Sequence, residues 1–205
     1  MPKAVGPKAV VWDFGNVIVR WDPRTLYSKI FSDPAERDRF LSDVCTLEWH
    51  AAHDAGVPFA ENRAPLLKAF PQYEAQILAW EQRWGEMFTG AIAETEAAMH
   101  ELAVRGVPQF GLSNISHETL ASTKAISPAF AHLRDVVASG EVKLMKPDPA
   151  IFRLACERFG YAPADLLFFD DGLKNIEAAR AEGWDVHHVT DPATIRPALE
   201  ARGLL

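Results

Sequence analysis

Short apolar runs, most of them ending at a polar residue, recur along the second half of the chain and once near its start. Ala9-Val10-Val11-Trp12 is apolar on both faces and stops at Asp13. Such a run reads as a strand buried on both sides within a parallel sheet. Gln109 to Leu112, ending at Ser113-Asn114, reads as a second strand, and Val136-Val137-Ala138 as a third. Leu166-Leu167-Phe168-Phe169, ending at Asp170-Asp171, and Asp185 to Val189 complete the set. Helical stretches alternate with them over Ala93 to Arg105, from Ser116, over Pro149 to Phe159, over Leu173 to Glu182, and from about Pro192. Gly106, Gly160 and Gly183 supply stops. This alternation predicts an α/β protein with a Rossmann-like parallel sheet covered by helices on both faces.

Between the first run and the rest, residues 22 to 90 read as helical, with no convincing strand. Asp22-Pro23 and Asp33-Pro34 place an acid at the N-cap and proline at the first helical position, and Asp33 with Glu36 has capping-box spacing. Thr46 to Ala55 reads as a helix stopped by Gly56. Pro65 implies a kink or a late start in the next. Gln72 to Phe88 reads as one helix carrying Ile77, Trp80, Trp84 and Met87 on a single stripe. The expected organisation is a core of residues 1–19 and 91–205 with a helical cap of residues 20–90 inserted into it.

Ligands in open parallel sheets bind beyond the carboxyl ends of the strands. Asp13, Ser113-Asn114 and Asp170-Asp171 all fall just past predicted strands, so they should converge on one crevice, with the inserted helices above it. Three carboxylates in one place call for a counter-charge, and an all-oxygen donor set suits Mg²⁺. One of them can serve as a nucleophile toward phosphorus. The Phe14-Gly15-Asn16 loop offers backbone N–H groups to an anion, Ser113 a hydroxyl and Lys146 a positive charge.

Composition narrows the partners. The 205 residues carry 21 basic and 28 acidic side chains, a net charge of −7, with no block of Lys or Arg. That argues against nucleic acid and anionic membranes and leaves a small anionic substrate. The two cysteines, Cys45 and Cys156, lack zinc spacing and read as free thiols of a reducing compartment. With no signal-like or membrane-spanning apolar run, a cytoplasmic location is expected. Oligomeric state is not indicated.

Four stretches in order resemble the motifs of the haloacid dehalogenase-like hydrolases. They are Val11-Trp12-Asp13-Phe14-Gly15-Asn16-Val17-Ile18-Val19, then Leu112-Ser113-Asn114, then Lys146-Pro147 with Phe152, and lastly Phe168-Phe169-Asp170-Asp171 with Asn175-Ile176, Ala178-Ala179 and Gly183. The resemblance implies a phosphomonoester hydrolase in which Asp13 becomes an aspartyl phosphate. It further implies that Asp13, the Gly15 carbonyl, Asp170 and Asp171 hold Mg²⁺, that Ser113 and Lys146 meet the phosphoryl oxygens, and that Asn114 positions the substrate. The insertion resembles the family's small helical cap.

One departure bears on mechanism. Most phosphatases of this family carry a second aspartate two residues after the nucleophile, as acid and base. Here that position is Gly15. The Gly-Asn form resembles a subgroup typified by an α-glucose-1-phosphate phosphatase, and an anomeric phosphate leaves with little acid assistance. Otherwise a cap residue or a bound water must bring the proton, and His50 and His53, three residues apart on one predicted helix face, are the best candidates. Two other functions compete. A metal-independent 2-haloacid dehalogenase is disfavoured by Asp170-Asp171, which would repel a carboxylate substrate. A non-catalytic phospho-ligand binder rests on Gly15 alone.

Overall fold

The computed structural model describes residues 6–205. Seven strands are present among them: β1 (Ala9–Trp12), β2 (Val19–Trp21), β3 (Phe88–Ala91), β4 (Gln109–Ser113), β5 (Val136–Ala138), β6 (Leu166–Asp170) and β7 (Asp185–His188). Five form one parallel sheet in the order β5-β4-β1-β6-β7, with β1 central and paired to both β4 and β6.

Alternation along β1 explains its double burial. Val10 and Trp12 face one apolar cluster, filled by Ala98, Met99 and Leu102 of the helix Ala93–Val104 and by Leu199 near the C-terminus. Ala9 and Val11 face the other, filled by Ile151, Phe152 and Ala155 of the helix Pro149–Phe159 and by Ile176 and Ala179 of the helix Leu173–Ala181. A strand whose successive side chains enter two different cores must be apolar throughout. The α/β sheet with helices on both faces is therefore as the sequence implies.

The inserted segment gathers around a third apolar cluster of its own, including Tyr27, Phe40, Phe59, Ile77 and Trp80. Asp22 and Asp33 cap helices Pro23–Tyr27 and Pro34–Asp43, but Asp33 accepts from Ala35 N rather than from Glu36 N, so the expected capping-box bond from Glu36 is not made. Thr46 caps the helix Leu47–Asp54 by accepting from Trp49 N, and Gly56 leaves it at a positive φ of 94°. The next helix starts at Phe59 and runs through Pro65 to Ala69.

Two expectations fail here. The stretch 72–88 is not one helix. An α-helix over Glu74–Gln82 gives way to a 3₁₀ turn, Trp84–Met87, and then to β3. Second, the segment does contain strand: β3 pairs antiparallel with β2, Val19 opposite Ala91 and Arg20 opposite Gly90. The apolar stripe misled because Ile77, Trp80, Trp84 and Met87 are all buried whether or not the helix continues. The pairing that makes Phe88–Ala91 a strand lies about seventy residues away, beyond the reach of local periodicity. A smaller correction concerns the helix expected from Ser116, which is a turn up to Leu120 and helical only over Leu120–Lys124.

The segment is closed onto the core. Phe59 N donates to Glu118 Oε2 (2.7 Å), Trp84 Nε1 to Thr123 Oγ1 (2.9 Å) and Ser139 Oγ to the Asp54 carbonyl (2.6 Å). A Cβ on Gly56 would stand 2.8 Å from the Gly140 carbonyl, so this contact also needs glycine for space.

Candidate active site

The carboxyl ends of β1, β4 and β6 deliver Asp13, Ser113 and Asp170 to one point. Asp13 is buried, and three donors converge on its Oδ1: Ser113 Oγ (2.7 Å), Lys146 Nζ (3.0 Å) and the backbone N–H of Phe14 (2.7 Å). None of the hydrogen bonds among the described residues engages Oδ2. One oxygen is thus held and the other left free.

Lys146 sits on the loop before helix Pro149–Phe159. It is 3 % exposed, and its ammonium group also reaches Asp170 Oδ2 (2.6 Å) and the Leu112 carbonyl (3.0 Å). Its three protons are therefore all committed. The two carboxylates hold it charged, against the burial that works the other way.

Asp170 is fully buried and receives Gly172 N (2.7 Å) and the Asn175 amide (3.0 and 3.1 Å) besides Lys146. Asp171 stands at the exposed rim. Asn16, in the left-handed conformation at φ 56°, donates to Asp171 Oδ2 (3.4 Å) and accepts from Trp21 N (3.2 Å). His188 Nε2 lies 2.9 Å from the Asp171 carbonyl. Asn16 and Asn175 stand in the first and fourth motifs, but their bracing roles could not be read from those motifs.

The charge at this point is unbalanced. Burial raises the Asp13 carboxyl to about 7, with Asp170 and Asp171 adding to the rise and Lys146 opposing it. Burial and Asp170 also raise Asp171. Oxygens of Asp13, Asp170 and Asp171 all come within 4.8 Å of one another. Three carboxylates at this spacing against one lysine make an all-oxygen donor set that fits a hard divalent cation.

Beside Asp13 opens a cavity of about 240 Å³. Phe14, Gly15, Ser113 and Asn114 line its inner end; Trp21, His50, Asp54 and Trp84 are among the residues contributed by the inserted segment. Asn114 is less free than the resemblance implies. Its amide donates to the Lys146 carbonyl (2.9 Å) and its Oδ1 accepts from Lys146 N (2.8 Å), stapling the β4 loop to the lysine loop.

The two histidines part ways. His50 lines the cavity, with Nε2 3.6 Å from Asp54 Oδ1. His53 turns inward, stacks on Phe59 at 3.9 Å and lies 3.2 Å from the Asn62 amide. Burial pushes His50 down to about 3 and His53 to about 4, so both imidazoles are neutral. Asp54, not among the residues expected at the site, lies on the cavity. Burial, then Asp13, push it up to about 7. Its place one turn after His50 on a crevice-facing helix was the signal available.

The structure thus seats a buried carboxylate among a serine, a lysine and an acidic pair at the strand ends of a parallel sheet. The profile of the haloacid dehalogenase-like hydrolases matches residues 7–183, and the chain belongs to that family. Its curated relatives include a phosphoserine phosphatase of Thermus thermophilus, 36% identical over 92 residues, 44% of this chain and 36% of the relative. A phosphoglycolate phosphatase of Escherichia coli K12 is 27% identical over 130 residues, 63% of this chain and 49% of the relative. The chain thus spans about half or less of these relatives' length. Among solved structures, a family enzyme of Bacteroides thetaiotaomicron in complex with magnesium and inorganic phosphate has a TM-score of 0.68 at 21% identity, covering 89% of this chain and 94% of that one. The L-2-haloacid dehalogenase of Xanthobacter autotrophicus has a TM-score of 0.67 at 16% identity, covering 97% and 84%. The fold is shared by both kinds of enzyme, so it does not choose between them. No helix among the described residues is long and apolar enough to cross a membrane.

Proposed function

We propose that the protein is a Mg²⁺-dependent phosphomonoester hydrolase acting on a small phosphorylated metabolite through an aspartyl phosphate on Asp13. The observation that carries this reading is the pairing of a carboxylate held by one oxygen, Asp13, with an acidic pair, Asp170 and Asp171, beside it. A dehalogenase working without metal would gain nothing from Asp170 and Asp171, which would repel a carboxylate substrate.

Asp13, Asp170 and Asp171, with the Gly15 carbonyl, would hold the cation, which when bound offsets the negative charge of the phosphoryl group. The Asp13 oxygen left free attacks phosphorus, and the ester P–O bond breaks as the alcohol leaves. Ser113 and Lys146 keep Asp13 oriented and stabilise charge around the phosphoryl oxygens. Water then attacks the aspartyl phosphate and releases inorganic phosphate. Asn114 acts by fixing the Lys146 loop. The inserted segment serves as the cap that excludes water.

Gly15 supplies no proton, so Asp54 takes that part. Positioned on the cavity with a carboxyl raised to about 7, it gives a proton to the leaving alcohol and then takes one from the attacking water.

The test is release of inorganic phosphate from 4-nitrophenyl phosphate with Mg²⁺ and with excess chelator, beside chloride release from 2-chloropropionate. Metal-dependent phosphate release is expected. Chloride release in chelator would establish the dehalogenase instead, and tight phosphate binding with no turnover of any ester would establish the binder.

A further inference from the structure

Among the described residues, the cavity wall opposite the phosphoryl end has aromatic and aliphatic surface and no positive charge. We infer that the alcohol part of the natural substrate is an uncharged, mainly apolar body, aromatic or hydrocarbon, that bears no carboxylate. This rests on the phosphatase reading and adds the substrate class to it.

Three rings make one continuous surface. Trp21 stacks on His50 with centroids 5.5 Å apart and an interplanar angle of 25°, and Trp84 lies 5.8 Å from Trp21 and 5.5 Å from His50. The Trp84 indole is pinned by its bond to Thr123, so the plate is held in place before any substrate enters. Leu47, Phe88 and Ile115 complete the apolar lining. Leu47 stands 63% exposed, one of three exposed large apolar side chains among the described residues. An aliphatic side chain left in water at the mouth of a cavity is surface that an apolar ligand would cover.

Positive charge is missing from this wall for definite reasons. Every proton of Lys146 is engaged, as shown above. Arg20 lines a separate depression with Asp22 and Thr25. Arg24 lines a neighbouring depression that Trp21 and Leu47 also border, where it lies 3.5 Å from Asp38, and Arg37, Arg63 and Arg83 are turned to Asp38, Glu81 and Glu86. His50 is neutral, and Asp54 is an acid. A substrate carboxylate here would be desolvated with nothing to pair it. A hexose fares little better, because its hydroxyls would face rings and Leu47, and the Asn114 amide is already used at both ends. The crevice is therefore unlike what phosphoglycolate, phosphoserine or a 2-haloacid requires.

The experiment compares unactivated alkyl esters, so that leaving-group reactivity does not dominate. With Mg²⁺, kcat/KM for benzyl phosphate should exceed that for 4-carboxybenzyl phosphate, phosphoglycolate and glucose-1-phosphate at least tenfold. Leu47→Arg, at an exposed position the fold tolerates, should narrow the gap between benzyl and 4-carboxybenzyl esters by raising the latter. Equal or better turnover of any carboxylated or hexose ester by the wild type would overturn the inference while leaving the phosphatase reading intact. Absence of turnover of every ester, benzyl phosphate and 4-nitrophenyl phosphate included, would remove the phosphatase reading itself, and the inference with it.

Discussion

The two ends of the crevice are built in opposite ways. At the Asp13 end, nearly every polar atom is spoken for: Lys146 has three acceptors, Asp170 has donors on both oxygens, and Asn114 is used twice. At the other end, ring surfaces meet with few hydrogen bonds: Trp84 Nε1 donates to Thr123, while Trp21 Nε1 and His50 Nδ1 are buried without a partner among the described residues. The wired end rests on strand ends of a rigid sheet, where a reacting group must be held within a fraction of an ångström. The ring-lined end is made mostly by the inserted segment, which has a core of its own. It can vary without disturbing the reaction, as expected where one chemistry serves many substrates.

The largest break should come from the wired end. Asp13→Asn removes the nucleophile and should lower kcat by at least ~10⁴. Because the amide keeps the size of the side chain, near-native thermal unfolding is expected, and wild-type turnover in this variant would end the assignment. Lys146→Met leaves Asp13 and Asp170 facing each other unpaired. It should cost on the order of 3–5 kcal/mol in chemical denaturation and roughly 10²–10³ in kcat. An unchanged denaturation midpoint would mean that the buried ion pairs are not what they look like.

Asp54→Asn probes where the two ends meet. Benzyl phosphate should slow by about 10² and 4-nitrophenyl phosphate much less in its first step, since a nitrophenolate needs no proton. Equal slowing of both in single-turnover measurements would reduce Asp54 to a packing role.

The smallest effect is thermodynamic. A carboxyl raised on folding, like Asp13, favours the fold below the ordinary carboxylate range. It loses that advantage as pH climbs through about 7. The metal-free protein should therefore soften between pH 5 and pH 8. Mg²⁺ must displace that proton, so its stabilisation should be larger at pH 8 than at pH 5.5. At a hundredfold excess over Kd it amounts to ~2.7 kcal/mol, or roughly 5–10 °C in Tm for a chain of this size. A larger shift at pH 5.5 would show that Asp13 does not bind the cation.

The fold was largely legible along the chain because its signals are local. Ala9–Trp12 and Leu166–Phe169 are apolar at every position since each strand meets two cores, and Asp22, Asp33 and Thr46 cap their own helices. The ribbon of β2 and β3 was not legible: Phe88–Ala91 has no alternation of its own and becomes a strand only when Val19–Trp21 comes alongside. At the site, the acidic groups and Ser113 were legible from their positions after predicted strands, and Lys146 from its resemblance to the third motif. What those groups do to one another was not. Whether Asn114 faces a ligand or a neighbouring loop depends on where residue 146 lies, 32 positions on.

The sequence by itself determined the parallel sheet, the strand ends that carry Asp13, Ser113, Asp170 and Asp171, and the loss of a side chain at Gly15. These follow from periodicity and from the identity of single residues. The tertiary structure alone decided that His53 packs into the inserted helices, that Asp54 reaches the crevice, and that the wall beyond Asp13 is rings without cations. His50 and His53 share one predicted helix face, and only the arrival of Phe59 and Asn62 on one side and Trp21 on the other separates them. Periodicity can say which face of a helix is covered, but not what covers it.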